Sequence, residues 1–215
     1  MKKDEVRARI EKIGIVPVIR ASSAEEARFA ADCVATGGVP IVEITMTVPG
    51  AVDVIRELVH AMPHVLVGAG TVLNEAAARQ CADAGAQFLV TPGFNASAVA
   101  AARERDLLIM VGALTPSEIM AASAAGADFV KVFPCASMGG PKYLQALRGP
   151  FPQIPFVPTG GVNLETAADY IRAGASALGV GGEMIAKDAL KARDAGALTK
   201  LAGLFVDLVR DARRP

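Results

Sequence analysis

Two ionisable residues stand inside short apolar segments, where charged side chains are uncommon. Lys131 lies within the run FVKVF (129–133), and Glu43 lies within IVEIT (41–45). Burial in such a run desolvates a lysine and favours the neutral amine, which is a nucleophile. Such an amine can attack a ketone to form a Schiff base, whose positive nitrogen acidifies the neighbouring carbon. A nearby carboxylate can shuttle the protons that this chemistry requires.

Alternation along a strand decides where these two side chains point. Lys131 would share a face with the two phenylalanines of its run, and Glu43 would share one with Ile41 and Thr45. If both faces point inward, an amine and a carboxylate meet. If they point outward, Lys131 extends past its neighbours to water and Glu43 is solvated at a strand end. We favour the inward arrangement, because both charges are unusual choices for a buried strand.

Eight short apolar runs alternate with alanine-rich stretches of helical period. Parallel strands buried on both faces and joined by helices can close into a (β/α)8 barrel. We therefore predict an N-terminal helix and one TIM barrel domain over residues 1–215; a doubly wound open sheet is the alternative fold. The predicted strands are 15–19, 41–45, 65–67, 88–90, 107–111, 129–133, 156–157 and 177–180. Predicted helix starts are Ser22 or Ser23, Asn74, Asn95, Thr115 and Asn163.

A weak internal repeat adds detail to the barrel prediction. Four segments read as a helix-ending glycine, two linking residues and a strand. They precede the even-numbered strands, which contribute side chains to common layers in such a barrel. The repeat therefore predicts that Glu43 and Lys131 lie at equivalent depth. The four glycines are Gly38, Gly85, Gly126 and Gly174.

Composition narrows the classes of function. The 22 Lys and Arg residues balance 22 Asp and Glu residues, so we expect no nucleic acid or membrane partner. No apolar run has the length of a membrane-spanning helix. Three cysteines without CxxC spacing fit a reducing, cytoplasmic location. His60 and His64 stand four apart, but Pro63 would break a helix between them, so no metal site is predicted.

Glycine-rich segments follow the last two predicted strands. Backbone amides in PTGGVN (158–163) and GVGG (179–182) can cradle a phosphate, although glycines also serve as simple turns. Arg20 ends the first strand and Thr71 follows the third, so together they could hold the carboxylate of a 2-oxo acid. A surface cation near Glu25 or Glu26 is the alternative for Arg20.

The chain contains the segments VPVIR (16–20), VEIT (42–45), VGAGTVL (67–73), FLVTPG (88–93), GALTP (112–116), FVKVFP (129–134), GPFP (149–152), VPTGGVN (157–163) and GVGG (179–182). These segments resemble the bacterial 2-keto-3-deoxy-6-phosphogluconate (KDPG) and 2-keto-4-hydroxyglutarate (KHG) aldolases over nearly the whole chain. The resemblance implies a homotrimeric class I aldolase of carbohydrate metabolism, in the Entner-Doudoroff pathway, without metal or organic cofactor. It would cleave KDPG to pyruvate and glyceraldehyde 3-phosphate, KHG to pyruvate and glyoxylate, or both.

The resemblance also implies roles for individual residues. Lys131 matches the Schiff-base lysine and Glu43 the acid/base glutamate, while Arg20 and Thr71 match positions that help to hold the pyruvate carboxylate. The positions that match the substrate pocket are Pro92, Thr115, Phe133 and Thr159. The positions that match the phosphate end are Gly160, Gly161, Gly181 and Gly182.

The sequence departs from the family pattern at two places. Thr47 stands where some members have an arginine that grips the carboxylate, which shifts that role to Arg20. Gly182 stands where many relatives have a phosphate-binding serine, and Glu183 follows it. A lost hydroxyl and a nearby negative charge weaken the case for a phosphorylated substrate, although a helix-start amide could compensate, and an unphosphorylated 2-keto-3-deoxy sugar acid is the alternative.

Two other classes of function remain open from the residues alone. A barrel isomerase of a phosphorylated sugar or amine could use Glu43 as its base and Lys131 only as an electrostatic group. A barrel that binds ligands without turnover would leave the paired acid and amine without a purpose.

Overall fold

The structure, a computed structural model, describes residues 1–214. Its strands are β1 (Ile15–Ile19), β2 (Ile41–Thr45), β3 (Leu66–Gly70), β4 (Phe88–Val90), β5 (Leu108–Ala113), β6 (Phe129–Val132), β7 (Phe156–Pro158) and β8 (Leu178–Val180). Its helices are α1 (Lys3–Ile13), α2 (Ala24–Thr36), α3 (Ala51–Ala61), α4 (Glu75–Asp83), α5 (Ala96–Glu104), α6 (Pro116–Ala124), α7 (Pro141–Arg148), α8 (Ala167–Arg172), α9 (Lys187–Lys191) and α10 (Ala195–Ala212). A 3₁₀ turn, Ala136–Met138, follows β6.

The eight strands are parallel and follow one another around a barrel. Sequential strands pair from β1 to β7, and β8 pairs with β1. A bridge between Thr159 and Gly179 joins the β7 and β8 sides. The predicted TIM barrel with an N-terminal helix is thereby confirmed, and an open doubly wound sheet does not form. Parallel strands place all their carboxyl ends at one mouth, where barrel active sites lie.

The strands are built almost wholly from buried residues because helices cover the outside of the barrel and side chains fill the inside. Every residue of β1 to β8 is buried. β3 and β5 extend beyond the predicted runs into glycine and alanine, whereas β6 ends before Phe133. Within residues 1–214 no helix is both long and apolar enough to cross a membrane.

Helix starts follow the predicted capping residues in four of five cases. The side chains of Ser23, Asn74, Asn95 and Thr115 each accept a hydrogen bond from an amide in the first turn of their helix. The fifth prediction, Asn163, was wrong as a helix cap. Asn163 instead caps a turn through its side-chain oxygen, which accepts from the amides of residues 165 and 166, and α8 starts only at Ala167.

The internal repeat is a structural repeat. Gly38, Gly85, Gly126 and Gly174 all have left-handed backbones, with φ of 96°, 93°, 93° and 95°. Because only glycine adopts this conformation without strain, each one ends a helix and turns the chain into the next even-numbered strand. The residue five positions after each glycine lies in the following strand. Glu43 and Lys131 are two of these four equivalent residues.

Candidate active site

Lys131 and Glu43 meet inside the barrel, as the inward arrangement predicts. Each is the third residue of its strand, β6 and β2 respectively. Lys131 Nζ lies 3.6 Å from Glu43 Oε1, and the two side chains are 5% and 3% exposed. Glu43 Oε1 is buried and accepts no hydrogen bond within residues 1–214. The pair is therefore buried, and its carboxylate retains a lone pair with which to accept a proton or a hydrogen bond.

A glycine on the neighbouring strand makes room for the carboxylate of Glu43. β2 and β3 pair with Glu43 opposite Gly68 and Thr45 opposite Gly70. A Cβ on Gly70 would stand 2.6 Å from Glu43 Cγ and 2.5 Å from Cδ, and closer still to Oε1. Gly70 thus determines where the carboxylate lies. Sequence reasoning missed this function, because Gly70 is paired with Thr45 and only the packing of side chains inside the barrel shows that Glu43 occupies the space beside it.

Lys131 has Glu43 as its ion-pair partner, and uncharged residues flank it on the neighbouring strands. It stands opposite Gly112 of β5 and Val157 of β7. Its Nζ is 5.7 Å from the centroid of the Phe133 ring, within the range of a cation–π contact. Phe133 is half-buried; it directly follows β6 and lines the cavity that the glycine segments border. An amine with one acid partner and little water is suited to nucleophilic attack on a carbonyl.

Thr71 begins the loop after β3 with a strained backbone. Its φ of 56° is uncommon for a β-branched residue, and such strain is concentrated at functional sites. Thr71 is half-buried, and within residues 1–214 its amide donates to no acceptor. Since β3 adjoins β2, Thr71, which carries a hydroxyl and this amide, lies on the Glu43 side of the mouth. These two donors can bind a carboxylate.

Thr47, at the position of the missing arginine, belongs to a chain of hydroxyls. Its Oγ1 lies 2.7 Å from that of Thr45, which donates to the Ile19 carbonyl at 2.9 Å. The chain ties the end of β2 to the end of β1. It supplies no positive charge at this part of the mouth.

Pro92 and Thr115 follow β4 and β5. Pro92 is half-buried, and a Cβ on Gly112 would overlap its carbonyl group, so this glycine lets the loop approach β5 closely. Thr115 is exposed and caps α6, and the Glu118 carboxylate accepts from the amides of Thr115 at 2.7 Å and Leu114 at 2.9 Å. These hydrogen bonds lower the pKa of Glu118 below its ordinary value. The structure thus gives Thr115 a definite role as a helix cap.

The loop after β6 holds the loop after β7. The amide of Cys135 donates to the Thr159 carbonyl at 2.9 Å, and that of Ala136 donates to the Gly160 carbonyl at 3.1 Å. Gly160 and Gly161 have positive φ of 87° and 76°. Thr159 is buried, and a Cβ on Gly179 of β8 would overlap its hydroxyl. The two glycine segments are therefore packed together, as their order along the chain predicts.

Arg20 lies at the mouth rather than in a surface ion pair. Within residues 1–214, Glu25 pairs with Arg193, and Glu26 accepts from the Ser22 hydroxyl at 2.6 Å, while Arg20 pairs with neither. Arg20 instead borders a cavity of about 170 Å³. All four glycines of the predicted phosphate end line this cavity: Gly160, Gly161, Gly181 and Gly182.

The fold and this site define a class: a (β/α)8 barrel enzyme whose mouth holds a buried amine beside a carboxylate. Residues 6–201 match the family model described as "KDPG and KHG aldolase". The chain belongs to the KDPG and KHG aldolase family and is an aldolase, a carbon–carbon lyase.

Individual relatives agree with the family match. The KHG/KDPG aldolase of Escherichia coli K12 is 40% identical over 189 residues, 87% of this chain and 88% of that protein. The 2-dehydro-3-deoxy-phosphogluconate aldolase of Dickeya dadantii is 39% identical with the same coverage. A crystal structure of the Legionella pneumophila KDPG aldolase, with pyruvate captured as a covalent carbinolamine, superimposes with a TM-score of 0.86 at 29% identity, covering 92% and 96% of the two chains.

Proposed function

We propose that this chain cleaves a 4-hydroxy-2-oxo acid to pyruvate and an aldehyde through a Schiff base on Lys131. The buried Lys131–Glu43 pair, at 3.6 Å, is the observation that carries the proposal. A buried ion pair contributes little net stability to a fold. Stability therefore does not explain why the barrel interior contains this pair, whereas a catalytic function does. Family membership supplies the reaction class.

The proposed chemistry uses these two side chains alone. The Lys131 amine adds to the C2 carbonyl to give a carbinolamine, and loss of water gives the protonated Schiff base. Glu43 accepts the proton of the C4 hydroxyl as the bond between C3 and C4 breaks, and the bonding electrons pass into the Schiff base as an enamine. The aldehyde leaves. Protonation of C3 and hydrolysis then release pyruvate and restore the amine.

The mouth offers distinct places for the two ends of the substrate. Thr71, with its unbonded amide on the Glu43 side, is the proposed partner of the pyruvate carboxylate. Phe133 and Thr159, which line the cavity beside the glycine segments, are proposed to contact the middle of the substrate, and Pro92 and Thr115, after β4 and β5, are proposed to contact its opposite side. The glycine segments after β7 and β8 would receive the far end of the substrate.

The proposed substrates are KDPG, which gives glyceraldehyde 3-phosphate, and 4-hydroxy-2-oxoglutarate, which gives glyoxylate. The similarity of this chain to the KHG/KDPG aldolase of Escherichia coli and to the 2-dehydro-3-deoxy-phosphogluconate aldolase of Dickeya dadantii supports these substrates. An unphosphorylated 2-keto-3-deoxy sugar acid is the alternative. The test compares kcat/KM for KDPG, its unphosphorylated analogue and 4-hydroxy-2-oxoglutarate, with released pyruvate coupled to a reductase. Pyruvate from at least one compound is expected, and none from any would contradict the proposal.

We further propose a homotrimer located in the cytoplasm. Large apolar side chains are exposed on the segments after β3, β4 and β6 and on α6, as at a surface that another copy covers: Leu73, Phe94, Met138 and Met120. All three cysteines are unpaired, which fits a reducing compartment. Sedimentation equilibrium would test the trimer, and a monomeric mass would contradict it.

A further inference from the structure

Thr71 keeps a backbone conformation that a β-branched residue adopts only at a cost. Its φ is 56°, in the left-handed region, and it stands between the end of β3 and the buried Val72. Such a conformation persists only where the surrounding structure holds it. The contacts that hold the loop after β3 therefore determine where the hydroxyl and the amide of Thr71 lie.

Two hydrogen bonds hold this loop against β4 and the segment that follows β4. The amide of Val72 donates to the carbonyl of Val90 at 3.1 Å. One residue further along, the carbonyl of Leu73 accepts from the side-chain Nδ2 of Asn95 at 3.1 Å. In the described part of the chain the Leu73 carbonyl accepts from no other donor. Both residues that follow Thr71 are thus fixed, one by the backbone and one by Asn95.

Helix α5 determines the direction of the Asn95 side-chain amide. Its Oδ1 accepts from the backbone amide of Ala98 at 2.8 Å and from the hydroxyl of Ser97 at 2.9 Å. Because the oxygen of this amide can only accept and the nitrogen can only donate, these two bonds leave Nδ2 directed at the Leu73 carbonyl. Asn95 therefore caps α5 with its oxygen and holds the Thr71 loop with its nitrogen.

Asn74 caps the neighbouring helix α4 without such a second bond. Its side-chain oxygen accepts from the amide of Ala77 at 2.9 Å, while over residues 1–214 its Nδ2 donates to no acceptor. A helix cap requires only an acceptor, and aspartate or serine caps a helix about as well as asparagine. Capping alone therefore does not explain the donor that Asn95 directs at Leu73.

We infer that Asn95 is a positioning residue: it holds the loop after β3 so that the hydroxyl and the amide of Thr71 stay in place to bind the carboxylate of the keto acid. The inference rests on the proposed function, in which Thr71 binds that carboxylate. Asn95 acts through Thr71, and the hydrogen bond to Leu73 is the contact that transmits its effect.

The test measures the pyruvate concentration that gives half-maximal borohydride labelling of Lys131. Asn95→Asp keeps the cap of α5 but sets a carboxylate oxygen against the Leu73 carbonyl, and Asn95→Ser keeps the cap without a charge and without the donor. Each variant should raise this concentration about 10-fold, or about 1.4 kcal/mol, which is the size of one hydrogen bond. The kcat for pyruvate release should change less than about 2-fold, because Lys131 and Glu43 lie on β6 and β2.

Asn74→Asp is the matched control. It makes the same substitution at the equivalent cap of the neighbouring helix and adds the same charge to the loop after β3, but it removes no hydrogen bond from the Asn74 nitrogen. It should change the half-maximal concentration less than about 2-fold. A thermal melt on the same samples checks that all three variants are folded, and Asn95→Ser decides the matter should Asn95→Asp not fold.

Three results would overturn the inference. Folded Asn95 variants could label with the wild-type pyruvate concentration, or they could lose kcat without any change in that concentration. A rise in the aspartate variants alone, with Asn95→Ser like wild type, would show an effect of charge rather than of position. Failure of the proposed function is distinguishable, since pyruvate and borohydride would then leave wild-type Lys131 unmodified.

Discussion

Alanine at position 70 should displace the proposed acid/base group without disturbing the barrel. Gly70 has no positive φ, so its backbone accepts an alanine. The new Cβ would stand 2.5 Å from Glu43 Cδ, whereas unbonded carbon atoms approach to about 3.5 Å. The difference is about 1 Å. The carboxylate, as the end of a side chain, has to move by about that distance.

A displacement of about 1 Å in a catalytic group can cost about 100-fold in rate, or about 2.7 kcal/mol in the activation free energy. We therefore expect Gly70→Ala to lower kcat for pyruvate release by about that factor. Folding should be affected less, because replacing glycine also reduces the entropy of the unfolded chain by about 0.4 to 1 kcal/mol. The melting temperature should stay within a few degrees of wild type.

The assay combines steady-state pyruvate release with a thermal melt on the same samples. Gly203→Ala is the control, because a Cβ there would stand 3.8 Å from the Gly37 carbonyl in ordinary contact, far from the site in α10. It should leave kcat unchanged. A folded Gly70→Ala protein with wild-type kcat would refute the reasoning that the position of the Glu43 carboxylate controls turnover.

Three further predictions concern the acid/base residue, one helix cap and one buried cysteine. Glu43→Gln should lower kcat at least about 100-fold while pyruvate still forms a trappable adduct with the protein; unchanged kcat would contradict its acid/base role. Thr115→Ala removes the cap of α6 and should cost about 1 kcal/mol, or about 2 to 4 °C in Tm, whereas Ser117→Ala should not. Burial raises the pKa of the Cys81 thiol from 9.0 to about 11, so this thiol ionises less readily in the folded state than in the unfolded state. Its contribution to stability is complete below pH 9 and declines as pH rises toward 11. The difference in unfolding free energy between wild type and Cys81→Ala should therefore shrink over that range, and a constant difference would contradict the assignment.

Much of the barrel follows from local patterns. Apolar runs predicted all eight strands, because parallel strands that are buried on both faces consist mostly of apolar residues. The ends were less predictable: β3 continues through Gly68 and Gly70, where side chains from other strands fill the space that a Cβ would need. The Phe88 ring fills it at Gly68 and the Glu43 carboxylate at Gly70. Such packing depends on register, which no single strand specifies.

The sequence predicted the Lys131–Glu43 pair better than it predicted the position of Arg20. Two charges in apolar runs predicted the Lys131–Glu43 pair, since burial of both is costly unless they meet. The direction of the Arg20 side chain was not readable, because a residue at a strand end can lean toward either neighbour. The family pattern assigns Arg20 to the carboxylate, which stays a prediction, and in the structure its Nη1 stands 3.9 Å from the place of a Cβ on Gly181.

The most direct test of the central claim is borohydride reduction of the protein with pyruvate, followed by peptide mass mapping. Reduction traps a Schiff base, so we expect an irreversible addition of mass at Lys131 in wild type. Lys131→Arg, which keeps the charge, should show no addition and lose nearly all pyruvate release. A folded wild-type protein that stays unmodified at Lys131, or a Lys131→Arg variant that retains substantial activity, would contradict the Schiff-base mechanism.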